Sequence, residues 1–247
     1  MKYLGGKQRL GKHIYPIIQS YYNDELNGYL EPFCGSLGVL KHMTKLPVKI
    51  HANDYHPDLI QMWKEVQKDN FEYPKSISEE EYNTIKQYKS PNALKSFTGF
   101  GMSFGGRFFG AYSQKYLGNK KEDFCKEMTN SLKRIQPLIK KVKFTCQDYR
   151  KLKPKNLLIY CDPPYKQTKY PIKYRRDTKY YDEFDNEEFW EIMRIWSKDN
   201  IVIISETTSP NDFICIWEHD VARSASKSKN TKKIESLNTE KLFMFNA

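Results

Sequence analysis

The stretch LLIYCDPPY, residues 157–165, decides how this chain is read. Its first five residues form a short apolar run, the pattern of a buried strand ending at Cys161. Asp162, Pro163, Pro164 and Tyr165 follow directly. In open α/β sheets ligands bind just beyond the carboxyl ends of strands, so a site is expected at this corner. Each proline ring locks its own φ and holds the preceding residue extended. A stiff turn of this kind aims one carboxylate and one peptide carbonyl at a single point.

Similar short apolar runs recur at 28–31, 48–54, 142–146, 201–205, 213–217 and 241–245. Helical patterns lie between them, at about 36–45, from Pro57 through Leu59, Ile60, Trp63 and Val66, at 79–88, and at 186–197. Another spans 122–140, where Phe124, Met128, Leu132, Ile135 and Ile139 keep helical spacing. Strands alternating with helices predict an α/β fold with a largely parallel sheet and helices on both faces. Residues 71–120 break the alternation. Within them FTGFGMSFGGRFFGAYSQKYLGN, residues 97–119, is dense in glycine and aromatics and has no clear period. It is expected to be neither core strand nor core helix, and to belong to an inserted subdomain. The expected division is a core of 1–70 and 121–247 with 71–120 inserted.

The 247 residues suit one large domain, or a core carrying a smaller insertion. The formal charge of +11, from 41 basic and 30 acidic side chains, favours a polyanionic partner, with nucleic acid ahead of an anionic membrane. Five widely spaced cysteines form no CxxC pair, and the five histidines do not fall at metal-ligand intervals, so no metal is expected. This cysteine usage, with no signal peptide and no stretch of transmembrane length, predicts a cytoplasmic protein with no membrane partner.

Two acceptors aimed at one point suit a substrate bearing two N–H donors on one atom, an exocyclic amine. Adenine N6 is such a group, a poor nucleophile because its lone pair is delocalised into the ring. Accepting both hydrogens at Asp162 and the Pro163 carbonyl would free that lone pair, and the carboxylate would offset charge developing on nitrogen. Tyr165 offers a ring for a purine to stack on, worth ~1–3 kcal/mol. The bland alternative is a Pro-Pro turn whose aspartate merely bonds the backbone.

DPPY resembles the catalytic motif of the amino-methyltransferases, and the other segments fall in the order of the Dam-type, D12-class, site-specific DNA adenine-N6 methyltransferases. The resemblance runs from Tyr3 to about Phe245. It implies a Rossmann-like sheet and S-adenosyl-methionine as methyl donor. YLGGKQRL, residues 3–10, resembles the N-terminal cofactor motif, with Tyr3 beside the ligand and Lys7 able to meet a carboxylate. EPFCGSLGVL, residues 31–40, resembles the glycine-containing loop after the first strand, bringing Phe33, Cys34 and Gly35 to the cofactor. Its spacing is not the GxGxxG of pyrophosphate binding, which disfavours a dinucleotide. Asp54, about twenty positions on, is placed to accept from ribose hydroxyls, or to cap the helix that follows. Asp148 and Tyr149 resemble the positions near the cofactor adenine, although basic Arg150 and Lys151 come next. Asp162 completes that cofactor set.

Residues 98–114 resemble a segment of phage-like members, in which Arg107 would reach a guanine edge or a phosphate. After DPPY, Lys166, Lys169, Lys173, Arg175 and Arg176 alternate with tyrosines, a pattern suited to gripping phosphates beside a base pocket. Duplex DNA is therefore the expected partner, with the target adenine flipped from the helix by a monomer or weak dimer. If the protein is viral, its compartment is the host cytoplasm. Methylation of RNA or protein amino groups, and a catalytically dead DNA-binding relative, are the alternatives.

Overall fold

The computed structural model describes residues 1–114, 116–117, 120–165, 184–221 and 238–246. A seven-stranded sheet contains β1 (Gly28–Glu31), β2 (Lys49–Asp54), β5 (Lys143–Cys146), β6 (Leu158–Cys161), β7 (Ile201–Glu206), β8 (Phe213–Val221) and β9 (Asn238–Phe245). The short pair β3 (Tyr116–Leu117) and β4 (Lys120–Lys121) forms a separate antiparallel ladder. In the large sheet the order is β5-β2-β1-β6-β7-β9-β8. The first five of these are parallel to one another, and β9 runs antiparallel to both its neighbours. The α/β expectation holds: this is a Rossmann-like sheet with helices on both faces.

Two consequences of this order place the site. The chain builds outward from β1 to β2 and β5, then returns to lay β6 on the other side of β1, so the topological switch point falls between β1 and β6. That is where Asp162 emerges. The reversed direction of β9 brings its beginning to the carboxyl end of β7, where Lys241 pairs with Glu206. Glu240 thus arrives among the strand ends although it opens a strand.

Alternation along the strands commits each face to its own helices. Tyr29, Leu158, Tyr160 and Ile203 join a core built with α1 (Gly11–Ser20), α3 (Pro57–Gln67) and α6 (Phe124–Ile135). Leu30, Ile159, Cys161, Val202 and Ile204 face Phe189, Trp190, Met193 and Trp196 of α7 (Asn186–Trp196). All four residues of β6 are buried, as a central parallel strand requires. Among the described residues no helix is long and apolar enough to cross a membrane.

Three local readings differ from the sequence pattern. The helix expected at 36–45 shrinks to α2 (Leu40–Met43), because residues 34–39 form turns that include Leu37 at φ 58°. A helix absent from the pattern, α1, covers Gly11–Ser20 despite Pro16, burying Ile14 and Ile18. Most consequentially, the aperiodic glycine-aromatic segment does contain core helix. After α4 (Glu79–Lys86), α5 (Ala93–Gly101) is buried from Ser96 to Gly101, with Phe97 fully covered and Phe100 2% exposed. The helix is only nine residues long and holds two glycines, weak helix formers that read as loop in the sequence. Its glycines serve contact: a Cβ on Gly99 would meet the Phe108 ring at 2.5 Å.

The N-terminal segment and the loop after β1 touch backbone to backbone. A Cβ on Gly11 would lie 2.1 Å from the Gly38 carbonyl oxygen, and one on Gly38 would lie 2.7 Å from the Lys7 carbonyl carbon. Gly11→Ala is therefore expected to cost roughly 1–3 kcal/mol of stability through forced backbone displacement. Urea unfolding should read that loss, while Lys12→Ala on the exposed turn of the same helix stays within about 0.5 kcal/mol of the parent.

Candidate active site

Residues 3–10 are pinned before they reach the site. The Leu4 amide donates to the Gly106 carbonyl at 3.2 Å, Gln8 Nε2 to the Ser36 carbonyl at 2.7 Å, and Lys41 Nζ to Gln8 Oε1 at 2.8 Å. Lys7, only 7% exposed, is thereby carried under the DPPY corner. Its ammonium donates to Asp162 Oδ1 at 2.7 Å, stands 3.5 Å from Glu240 Oε1, and lies 4.6 Å from the centre of the Tyr165 ring. The Tyr165 hydroxyl in turn donates to Glu240 Oε1. One cation, two carboxylates and one aromatic ring thus close a network across the N-terminal segment, β6 and β9.

Burial pushes the Asp162 carboxyl up to about 6, with Lys7 pulling it down and Glu240 pushing it further up. For Lys7, burial opposes the charge, but Asp162 and Glu240 outweigh it and hold the ammonium above its ordinary range. Glu31, at the end of neighbouring β1, is fully enclosed and raised well above the usual carboxylate range by burial, while Tyr29 donates to it at 2.7 Å. The site thus gathers Lys7, Asp162 and Glu240 into one polar cluster, with Glu31 enclosed beneath it at the end of β1.

On the other side of the switch point the loop after β1 meets the end of β2. Asp54 accepts from the Gly35 amide at 2.9 Å through Oδ2 and from the His56 amide at 3.0 Å through Oδ1. Trp63 Nε1 donates to the Gly35 carbonyl at 3.0 Å. Gly35 takes φ 45°, and a Cβ there would meet the Tyr3 ring at 3.2 Å. Cys34 is buried in the core, with its amide donated to the Asn53 carbonyl at 2.8 Å. Phe33 faces Tyr149 at 5.0 Å between ring centres, and Phe184 and Phe189 complete this aromatic wall at 5.9 Å from Phe33. Asp148 caps the short turn Tyr149–Lys151 and is engaged by the Arg150 guanidinium, which also reaches Glu188 at 2.9 Å. That guanidinium holds the Asp148 carboxyl below its ordinary value.

The sequence-derived residues divide accordingly. Lys7, Asp162 and Tyr165 come together; Tyr3, Phe33, Gly35, Asp54 and Tyr149 line the neighbouring strand ends. Lys7 has the carboxylate partner expected of it, but that partner is the protein's own Asp162. Arg107, half-buried, follows Gly106, where a Cβ would lie 2.5 Å from the Tyr3 amide nitrogen, so it sits at the junction with the N-terminal segment. Lys166, Lys169, Lys173, Arg175 and Arg176 lie outside the described residues. Glu240, Glu31 and Phe184 went unread. Glu31-Pro32 at the end of β1 repeats the Asp162-Pro163 arrangement at the end of β6, a signal available in the sequence. Glu240 offered none, being 75 positions from Tyr165 and just ahead of the apolar run 241–245.

The family model of D12 class N6 adenine-specific DNA methyltransferases matches residues 3–97 and 107–239. No curated protein matches the chain.

The Lys7–Asp162 pair has a pH signature. Because the folded Asp162 carboxyl titrates at about 6 against an ordinary 3.8, its contribution to stability is full below the ordinary value and is lost as pH rises through about 6. Lys7→Met removes the neighbouring cation, raises the folded value further and extends that loss to higher pH. The variant is expected to lose roughly 3–5 kcal/mol at neutral pH and less at pH ~4, as read by urea unfolding across that range.

Proposed function

Because the chain belongs to the D12 class of N6 adenine-specific DNA methyltransferases, we propose that it moves the methyl group of S-adenosyl-methionine onto N6 of an adenine flipped out of double-stranded DNA. The observation that carries this reading is a half-buried carboxylate on a Pro-Pro corner, at the end of the central strand and beside a tyrosine held by its hydroxyl.

Asp162 and the Pro163 carbonyl accept the two amine hydrogens, drawing the nitrogen toward tetrahedral geometry and freeing its lone pair. The carboxylate then offsets the positive charge that builds on nitrogen, and its burial strengthens that effect relative to water. Pro163 and Pro164 keep both acceptors from relaxing away. Tyr165 stacks on the purine, and that contact with phosphate binding offsets the few kcal/mol that extrusion of a base costs.

The residues present fit S-adenosyl-methionine. Asp54, held at the end of β2 by backbone amides that include those of Gly35 and His56, would turn its carboxylate to the ribose hydroxyls. The missing side chain at Gly35 leaves the space in front of Tyr3 that a Cβ would fill. Tyr3, Phe33, Cys34, Gly35 and Tyr149 would line the adenosine, with Asp148 holding the turn that carries Tyr149. When bound, S-adenosyl-methionine supplies an electrophilic methyl on a sulfonium. Residues 1–70 and 121–247 would form the catalytic core, and 71–120 the target-recognition region with Arg107 toward the duplex. Lys166, Lys169, Lys173, Arg175 and Arg176 would grip phosphates on either side of the extruded nucleotide, a sequence-independent role.

Incubation with tritiated S-adenosyl-methionine and duplex DNA, RNA or protein tests the assignment, and label in N6-methyladenine of the duplex is the expected result. Label in RNA or protein alone would move the chain to those substrates. Asp162→Ala should lower turnover by at least ~10²–10³-fold while donor binding, measured by calorimetry, survives; undiminished turnover would remove the catalytic role. Since the ionised carboxylate is the accepting form, kcat/KM of the parent should fall as pH drops through about 6.

A further inference from the structure

Lys7 occupies the acceptor that an incoming amine needs. Its ammonium donates to Asp162 Oδ1 at 2.7 Å, so engagement of an amine by Asp162 must weaken or displace that bond. The ammonium is 7% exposed and cannot retreat into water without leaving its enclosure. It requires a second anion within reach, and Glu240 Oε1 stands 3.5 Å away on a side chain 9% exposed. Glu240 also accepts the hydroxyl of Tyr165, the ring against which the amine-bearing base would lie.

We propose that Glu240 is a positioning residue, taking Lys7 from Asp162 as the amine arrives while it holds Tyr165 in its stacking orientation. The inference rests on the reading of Asp162 as the amine acceptor. No covalent bond changes in this step: one buried ion pair is exchanged for another, and Lys7 remains an ammonium throughout. Among the described residues the other titratable groups that interact with Asp162 are Tyr160, Cys161, Tyr165 and Glu31, and of the carboxylates around it Glu240 alone pairs with Lys7.

Glu240→Gln keeps the volume and an acceptor for Tyr165 but removes the anion that receives Lys7. Steady-state methylation of duplex DNA by this variant should show kcat lower by about tenfold to a hundredfold, with KM for S-adenosyl-methionine little changed. Its kcat/KM should lose activity at a lower pH than the parent, because the charge that raises the Asp162 value is gone. Glu240→Asp, which restores the charge one methylene back, should recover part of kcat and return the pH midpoint toward the parent. Loss of thermal stability in Glu240→Gln with an unmoved pH midpoint would make the residue structural and overturn the proposal. So would a kcat equal to that of the parent. A parent enzyme that leaves duplex DNA unlabelled would instead remove the methyltransfer reading, and this inference with it.

Discussion

A buried ammonium and a half-buried carboxylate 2.7 Å apart are the constraint around which this molecule is arranged. Taking two charges out of water carries a desolvation cost that their mutual attraction offsets only when geometry and further hydrogen bonds are good. The chain meets that condition by anchoring each partner separately. Lys7 is fixed by the amide and side-chain bonds of residues 4–8 and by glycines that let residues 7–11 lie directly on the backbone of Gly38. Asp162 is fixed by the central strand behind it and two prolines after it. The pair adds little to stability by itself; it ties the N-terminal segment to the end of the central strand.

The direction of one strand completes the site. Five parallel strands deliver their carboxyl ends to one side of the sheet, where loops can diverge around ligands. An antiparallel β9 inserted beside β7 sends its first residues to the same side, so a glutamate at its start joins the ends of the other strands. Had β9 been parallel, Glu240 would stand at the opposite edge of the sheet. The aromatic wall of Phe33, Tyr149, Phe184 and Phe189 and the ionic network around Lys7 flank β1 from its two faces, an apolar surface and a charged corner suited to the two halves of an adenosyl-amino-acid donor and a purine amine.

Residues 71–120 show how composition misleads when packing is unusual. Glycine and aromatic density suggested irregular chain, yet α5 belongs to the central core, where Phe97 and Phe100 pack on α3 and α6 and glycines admit Phe108, Phe109 and Met128 at close range. Glycine inside a helix costs about 1 kcal/mol relative to alanine, and here close ring contact offsets that penalty. The turn that follows carries Gly105 and Gly106 at φ 65° and 69°, and Gly106 lies against Tyr3. The segment is thus both core and part of the wall behind the N-terminal motif.

Periodic and punctuated signals in the sequence were enough to set the α/β class, all seven strands of the main sheet, several of the helices with one apolar face, and the stiff Asp162-Pro163-Pro164-Tyr165 corner at the end of a buried strand. These are local quantities: strand length, helical spacing, proline stiffness and the chemistry of two acceptors in a row. Tertiary structure alone decided that α5 is buried, that α1 forms around Pro16, that Lys7 pairs with Asp162, and that Glu240 borders the site. The physical reason is that glycine and proline inside a helix are tolerated only where tertiary packing offsets their cost, and that an ion pair spanning 155 positions exists only once strand order and strand direction have brought its two ends together.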